Sequence, residues 1–318
     1  MPTYQQTNIS AAVGGAAAID IQPAAGDGYC ITDFFSDTAF VGTVPDMSVA
    51  LRDGVLADCV VIIDPTTAVQ KEGRSKELYI NNATYLRLTN TAAGAANLGW
   101  TGYQVSPNII MTDIVTAPNG GFVVVQPPAG QVWKVLEIGC ETMNAANWPD
   151  LSVYITDGVL LASLMAVGTR NLVWPKKFNI YISNTIYLRL EPIAGADRDV
   201  GLSMIRVDVE QFADVVDIGG SANLDIQPPV GQDVALTQFS AETWAGVAPA
   251  GSPDVDISLF NGAVLSDIQE NGTAGDNAIA NREYEIFINN AVYIRVTEVS
   301  TGNNEFGYTG YVVREYNT

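Results

Sequence analysis

The chain has 318 residues, 47% of them hydrophobic, and a mean hydropathy of +0.15, which is ample for packed cores and excludes a disordered chain. Its 35 acidic against 15 basic residues give a formal net charge of -20, a surface that repels phosphate backbones and anionic lipid, so neither nucleic acid nor a membrane surface is an expected partner. Histidine is absent, which removes Ser-His-Asp and Cys-His catalysis and histidine-ligated zinc.

No window reaches the roughly 18 to 20 continuous apolar residues of a membrane helix, and Met1-Pro-Thr-Tyr-Gln-Gln does not read as a signal peptide. The first recurrent stretch is Ile19-Asp-Ile-Gln-Pro-Ala-Ala-Gly26, matched by Val123–Gly130 and Leu224–Gly231. A strand that meets proline must stop or lie at an edge, and the glycine that follows permits a turn, so each copy is predicted to end a strand.

The second recurrent stretch is Pro45-Asp-Met-Ser-Val-Ala-Leu-Arg-Asp-Gly-Val-Leu56, which returns as Pro149–Leu160 and Pro253–Val264. Asp53-Gly54, Asp157-Gly158 and Asn261-Gly262 fall between alternating runs, which predicts a hairpin with a type I′ turn in each repeat. The third, Glu77-Leu-Tyr-Ile-Asn-Asn-Ala-Thr-Tyr-Leu-Arg-Leu-Thr89, returns as Asn179–Glu191 and Glu285–Thr297, two alternating runs around an asparagine-containing break. It predicts a second hairpin. The last is Gly99-Trp-Thr-Gly-Tyr-Gln-Val105, matched by Gly201–Val207 and Gly307–Val313, a closing strand.

With seven or eight short strands per repeat and no helical period, the expected fold is all-β: three tandem homologous antiparallel β-sandwich domains, jelly-roll-like, packed as a pseudo-trimer. The joints at Ser106–Thr112 and Asp208–Ala213 are short and partly apolar, which sets the domains at 1–108, 109–210 and 211–318.

The residues with the strongest claim to a site are Tyr85 and Arg87, Tyr187 and Arg189, and Tyr293 and Arg295. Alternation turns Leu86 and Leu88 to the core and Tyr85, Arg87 and Thr89 outward, either as a stripe that contacts a partner or as ion pairs within each domain, with Asp46, Asp150 and Asp254 as candidate partners. Cys30, Cys59 and Cys140 stand at different places in their repeats and are read as small core residues rather than a disulfide or metal set. The acidic loop Gly195-Ala-Asp-Arg-Asp199 has no carboxylate counterpart in the first repeat, so it is read as a solvated turn rather than a calcium site. Trp100, Trp133, Trp148, Trp174 and Trp244 lack repeated partners and are assigned to packing rather than to sugar stacking. No catalytic, cofactor-binding or metal-binding residues are expected, and no enzyme.

The recurrent set of strand-Gln-Pro-Pro-Ala-Gly, Pro-Asp-x-Ser-Val with Asp-Gly, Tyr-Ile-x-Asn-x-x-Tyr-Leu-Arg-Leu and Gly-Tyr-Thr-Gly-Tyr resembles β-sandwich accessory proteins of tailed-virus (bacteriophage-type) particles, which decorate capsids or form fibres and spikes. The resemblance implies a non-enzymatic virion protein, a capsid decoration or cement protein whose partners are the capsid lattice or other virion proteins. It also implies assembly in the host cytoplasm and a final place on the virion surface. A receptor- or carbohydrate-binding fibre module is the alternative.

Overall fold

The computed structural model describes residues 5–14, 17–38, 47–55, 57–63, 72–90, 94–140, 151–165, 176–192, 197–219, 222–241, 255–269, 285–298 and 304–315. Within them lie 24 strands and one turn of 3-10 helix, Pro107–Ile109. The first eight strands are β1 (Gln5–Val13), β2 (Ala18–Ile21), β3 (Gly28–Thr38), β4 (Met47–Arg52), β5 (Ala57–Ile63), β6 (Glu72–Asn81), β7 (Tyr85–Asn90) and β8 (Ala96–Val105). The next eight are β9 (Asp113–Ala117), β10 (Val123–Val125), β11 (Val132–Cys140), β12 (Leu151–Thr156), β13 (Leu161–Met165), β14 (Lys176–Ile182), β15 (Tyr187–Pro192) and β16 (Arg198–Val207). The last eight are β17 (Gln211–Ile218), β18 (Asn223–Ile226), β19 (Gln232–Ala241), β20 (Val255–Phe260), β21 (Leu265–Gln269), β22 (Ile286–Asn289), β23 (Tyr293–Glu298) and β24 (Asn304–Glu315).

The strands form six four-stranded antiparallel sheets, ordered β1-β8-β3-β6 and β2-β7-β4-β5, then β9-β16-β11-β14 and β10-β15-β12-β13, then β17-β24-β19-β22 and β18-β23-β20-β21. One order is thus written three times. In it the local pair β4–β5 is followed outward by β3–β6, β2–β7 and β1–β8, a nested hairpin rolled into two sheets, which is the jelly-roll topology.

The Asp-Gly and Asn-Gly stretches do form the local hairpins β4–β5, β12–β13 and β20–β21, but through longer loops than a two-residue type I′ turn. The last paired residues are Thr156 and Leu161 in the second, and Phe260 and Leu265 in the third. The Asp157 carboxylate accepts from the N–H groups of Val159 (2.7 Å) and Leu160 (2.8 Å), Asn261 does the same for Ala263 and Val264, and the following Gly158 and Gly262 sit at φ +96° and +88°. The acid or amide closes the loop and glycine supplies the left-handed step.

The expected hairpin at Glu77–Thr89 is corrected by the structure, since β6 and β7 lie in opposite sheets and do not pair. The asparagine break is a corner: Asn81 Oδ1 accepts from the N–H groups of Ala83 and Thr84, and the chain crosses from one sheet to the other. Alternation fixes which face of a strand is apolar but not which strand lies beside it. Leu78 and Ile80 of β6 therefore meet Leu86 and Leu88 of β7 across the core, all four essentially inaccessible to solvent. Each buried leucine or isoleucine contributes roughly 1.5–3 kcal/mol to holding the sheets together.

Neighbouring sets pack in sequence. The edges β5 and β6 lie against β11 and β16, and the equivalent edges β13 and β14 lie against β19 and β24. Ile114 of β9 joins the core of the first set, and Val215 of β17 joins the core of the second. A pseudo-trimer needs a third contact, between the first and third sets, and among the described residues no pair of elements from those two sets packs to a comparable extent.

Candidate functional site

Each β7-type strand runs between the β2-type and β4-type strands, which places Arg87 opposite Asp20, Arg189 opposite Val124 and Arg295 opposite Asp225. Cross-strand neighbours of opposite charge are close enough to join. Arg87 donates to both carboxylate oxygens of Asp20 at 2.6 and 2.7 Å, and Arg295 to both of Asp225 at 2.6 Å. The second set has valine where the acid would be, so Arg189 turns to Glu191 on its own strand and lies over the Phe122 ring at 3.9 Å. Arg295 stacks on Phe260 at 3.8 Å, and that ring meets Tyr293 edge-on.

The alternation holds as expected: Leu86, Leu88, Leu188, Leu190, Ile294 and Val296 are sealed in the cores, while the three arginines are partly exposed. Tyr85 and Tyr187 are half-buried, but Tyr293 is buried against Phe260. Each of the three arginines is thus ion-paired within its own set, although the buried Nε of Arg189 has no hydrogen-bond partner. Asp46, Asp150 and Asp254 lie outside the described residues.

The Arg87 guanidinium, chiefly through its hydrogen bonds, holds the Asp20 carboxyl below its ordinary 3.8 against a smaller opposing effect of burial. Other shifts come from burial in apolar surroundings. The Cys30 thiol, fully enclosed, is pushed up to about 11, and the neighbouring Tyr103 hydroxyl to about 12. Asp113 is also raised by burial, opposed by the Ile114 N–H that its carboxylate accepts.

The glutamine of each Gln-Pro stretch clamps the β6–β7 corner or its equivalent. Gln22, Gln126 and Gln227 donate to the carbonyls of Asn82, Asn184 and Asn290 at 2.8, 2.8 and 2.6 Å, and Asn82 and Asn290 return a bond to the carbonyls of Pro23 and Pro228. These recurrent polar residues hold the corner shut. In the acidic loop, Asp197 accepts from the Asn119 N–H and Asp199 from the Thr116 hydroxyl, which ties the loop to β9. Among the described residues no cluster of three metal-ligating side chains occurs, and no helix is long and apolar enough to cross a membrane.

Trp100 is 6% exposed and stacks on Tyr29 inside the first core, and Trp133 is half-buried against the second. The other three tryptophans lie outside the described residues. A cavity of about 300 Å³ beside Trp133, Met111 and Val124 is lined mainly by apolar side chains and has Asp113 as its only carboxylate.

What the surface does offer three times is an apolar loop tip. Val55, Val159 and Val264, which follow the hairpin glycines directly or by one residue, are 84%, 84% and 65% exposed. Sequence reasoning passed over them because the stretch was read for its turn. The signal was a β-branched apolar residue one or two positions after the turn glycine, where polar residues are usual.

No protein-family model and no curated protein matches the chain. Among solved structures, a chain from the atomic structure of Sulfolobus turreted icosahedral virus is similar at 10% identity and a TM-score of 0.24, covering 97% of this chain and 86% of that one. A likeness at that level carries no argument about function.

Proposed function

We propose that the chain is a non-enzymatic structural protein of a virus particle, attached to the outer face of the shell, with its three strand sets as domains divided near residues 108 and 210. The observation that carries the reading is the threefold jelly-roll order with an exposed apolar residue on the same hairpin loop of each set, Val55, Val159 and, one position further along its loop, Val264. Fold alone does not name a function. A linked set of three apolar loop tips is nonetheless what attachment to a repeating lattice needs, because once one has docked the others act at high effective concentration, and avidity can exceed a single contact by roughly 10² to 10⁴. The acidic surface suits the outside of a shell whose interior holds nucleic acid.

Among the described residues, recurrent polar groups such as Gln22 at the corner and Arg87 with Asp20 are used inside each set, which supports a structural reading. Trp100 is likewise committed to the core, which removes it as a sugar platform for the adhesion alternative.

The test is co-sedimentation of the full chain with particles that lack it. Val55→Asp, Val159→Asp and Val264→Asp combined in one chain are expected to abolish attachment, and each alone to weaken it. Attachment unaffected by the triple change, or binding to a soluble glycan in place of particles, overturns the reading.

A further inference from the structure

The two contacts between successive sets are built alike. In the first, the backbone N–H of Tyr79 on the edge strand β6 donates to Ser203 Oγ at 3.1 Å, and its carbonyl accepts from the Thr112 hydroxyl at 2.6 Å. In the second, Tyr181 on the edge strand β14 donates to Thr309 Oγ1 at 3.0 Å, and its carbonyl accepts from the same hydroxyl at 2.6 Å. Tyr79 and Tyr181 hold the same register position, opposite Cys30 and Lys134, and are 9% and 6% exposed. Ser203 and Thr309 likewise hold one position in the closing strands β16 and β24.

One half of this contact is left over at each end of the chain. At the third copy of the edge position, opposite Ala235, stands Phe287, and it is 60% exposed. On the edge strand of the other sheet, Leu265 begins β21 and is 51% exposed, whereas its equivalent Leu161 is partly buried and donates its N–H to Glu305 of the next set. At the other end, Thr101 of β8 is the counterpart of Ser203 and Thr309. Among the described residues no edge strand lies above it, and its hydroxyl donates to Asp33 of its own set at 3.1 Å. Leu136 and Glu137 of β11, and Thr237 and Gln238 of β19, are buried under the preceding set, but their counterparts Thr32 and Asp33 are only half-buried.

We infer that a second copy of this chain docks head to tail, the edge strands β21 and β22 of one copy packing on the β3–β8 face of the next and repeating the contact that the chain already makes twice within itself. The occupant is a copy of the same chain because each end offers the complement of the other, as the two internal contacts demonstrate. Such a contact is heterologous, so successive copies form a ring if the rotation closes and an open row if it does not. With a net charge of -20 on each copy, like charge opposes approach, and added salt is expected to strengthen the association. The inference does not depend on the virion reading, and its test needs no particle.

The test is sedimentation velocity and light scattering of the full chain over a concentration series at low and high salt. The wild-type chain is expected to form species heavier than its 33.9 kDa, increasingly so with salt. Phe287→Asp and Thr101→Arg, each with unchanged circular dichroism, are expected each to lose the association, with a dissociation constant raised by roughly 30-fold or more, the range for a central aromatic anchor. Each variant spoils only one end, so an equal mixture of the two is expected to give a two-chain species and nothing larger. A wild-type chain that stays at 33.9 kDa throughout, association that survives either change, or a mixture that stays monomeric overturns the inference.

Discussion

Thr309→Val removes one hydroxyl from the contact between the second and third strand sets while keeping the side chain's volume almost unchanged. In the native chain that oxygen accepts from the Tyr181 N–H at 3.0 Å and donates to the Tyr181 carbonyl at 2.6 Å, and Thr309 is fully buried. The carbonyl keeps a partner, because Gln211 Nε2 also donates to it at 2.7 Å. The N–H has no such reserve, and a buried donor left unsatisfied costs about 1–3 kcal/mol, to which the lost second bond adds about 0.5–1.5 kcal/mol. A total of about 1.5–4.5 kcal/mol is expected at this contact. Hydrogen exchange at the Tyr181 amide reads it directly, and a loss of that size speeds local opening by roughly 10- to 1,500-fold. The control is Thr101→Val at the equivalent position of the first set, where the half-exposed residue's hydroxyl bonds Asp33 and Thr32 among the described residues, so a change of about 1 kcal/mol or less is expected. If the two variants cost the same, or the Tyr181 amide exchanges at its native rate in Thr309→Val, the hydroxyl does not hold this contact.

Asp20→Asn breaks the two-toothed pair with Arg87, and because both side chains are about one-third exposed the loss in urea unfolding is expected to be only about 0.5–1 kcal/mol. The folded carboxyl lies below its ordinary 3.8, so the pair's contribution is complete above that value and fades as pH falls below it; the wild-type advantage over Asp20→Asn should shrink in acid, and an advantage that grows there refutes the assignment. Cys30, raised to about 11 by burial and fully enclosed, is expected to resist alkylation at neutral pH in the folded chain and to react on unfolding, read by mass spectrometry of its peptide.

Faces were easier to read in the sequence than neighbours. The period-2 pattern in Tyr85-Leu-Arg-Leu-Thr89 states which side chains turn inward, and the structure buries Leu86 and Leu88 accordingly. The same pattern is silent about pairing, which is why β6 and β7 read as a hairpin when they are a corner between sheets. Arg87 shows the same limit from another side, since its partner Asp20 is set by strand order rather than by proximity in the chain. A trace was present: Asp20 and Asp225 occur in the two repeats that make the two-toothed pair, and Val124 in the one that does not. Phe287 in place of Tyr79 and Tyr181 was visible too, but its meaning depends on knowing that β6 and β14 are covered edges while β22 is bare.

The manner of covering those edges matters physically. An edge strand exposes unpaired N–H and C=O groups that can recruit any other strand, and the usual outcome of leaving it bare is indiscriminate sheet extension. Here the edges β6 and β14 are met by the face of another sheet, with a serine or threonine hydroxyl supplying the bond that a partner strand would otherwise make. A hydroxyl satisfies the groups of one residue and cannot continue the ladder, so the sheet ends at each contact instead of propagating. It also demands register, because the oxygen must arrive opposite Tyr79 or Tyr181 and nowhere else along the strand. The bare edge at Phe287 inherits that demand: a surface without a hydroxyl set as Thr101 is set cannot satisfy it, and an unrelated strand adding along β22 would leave the exposed Leu265 of β21 uncovered.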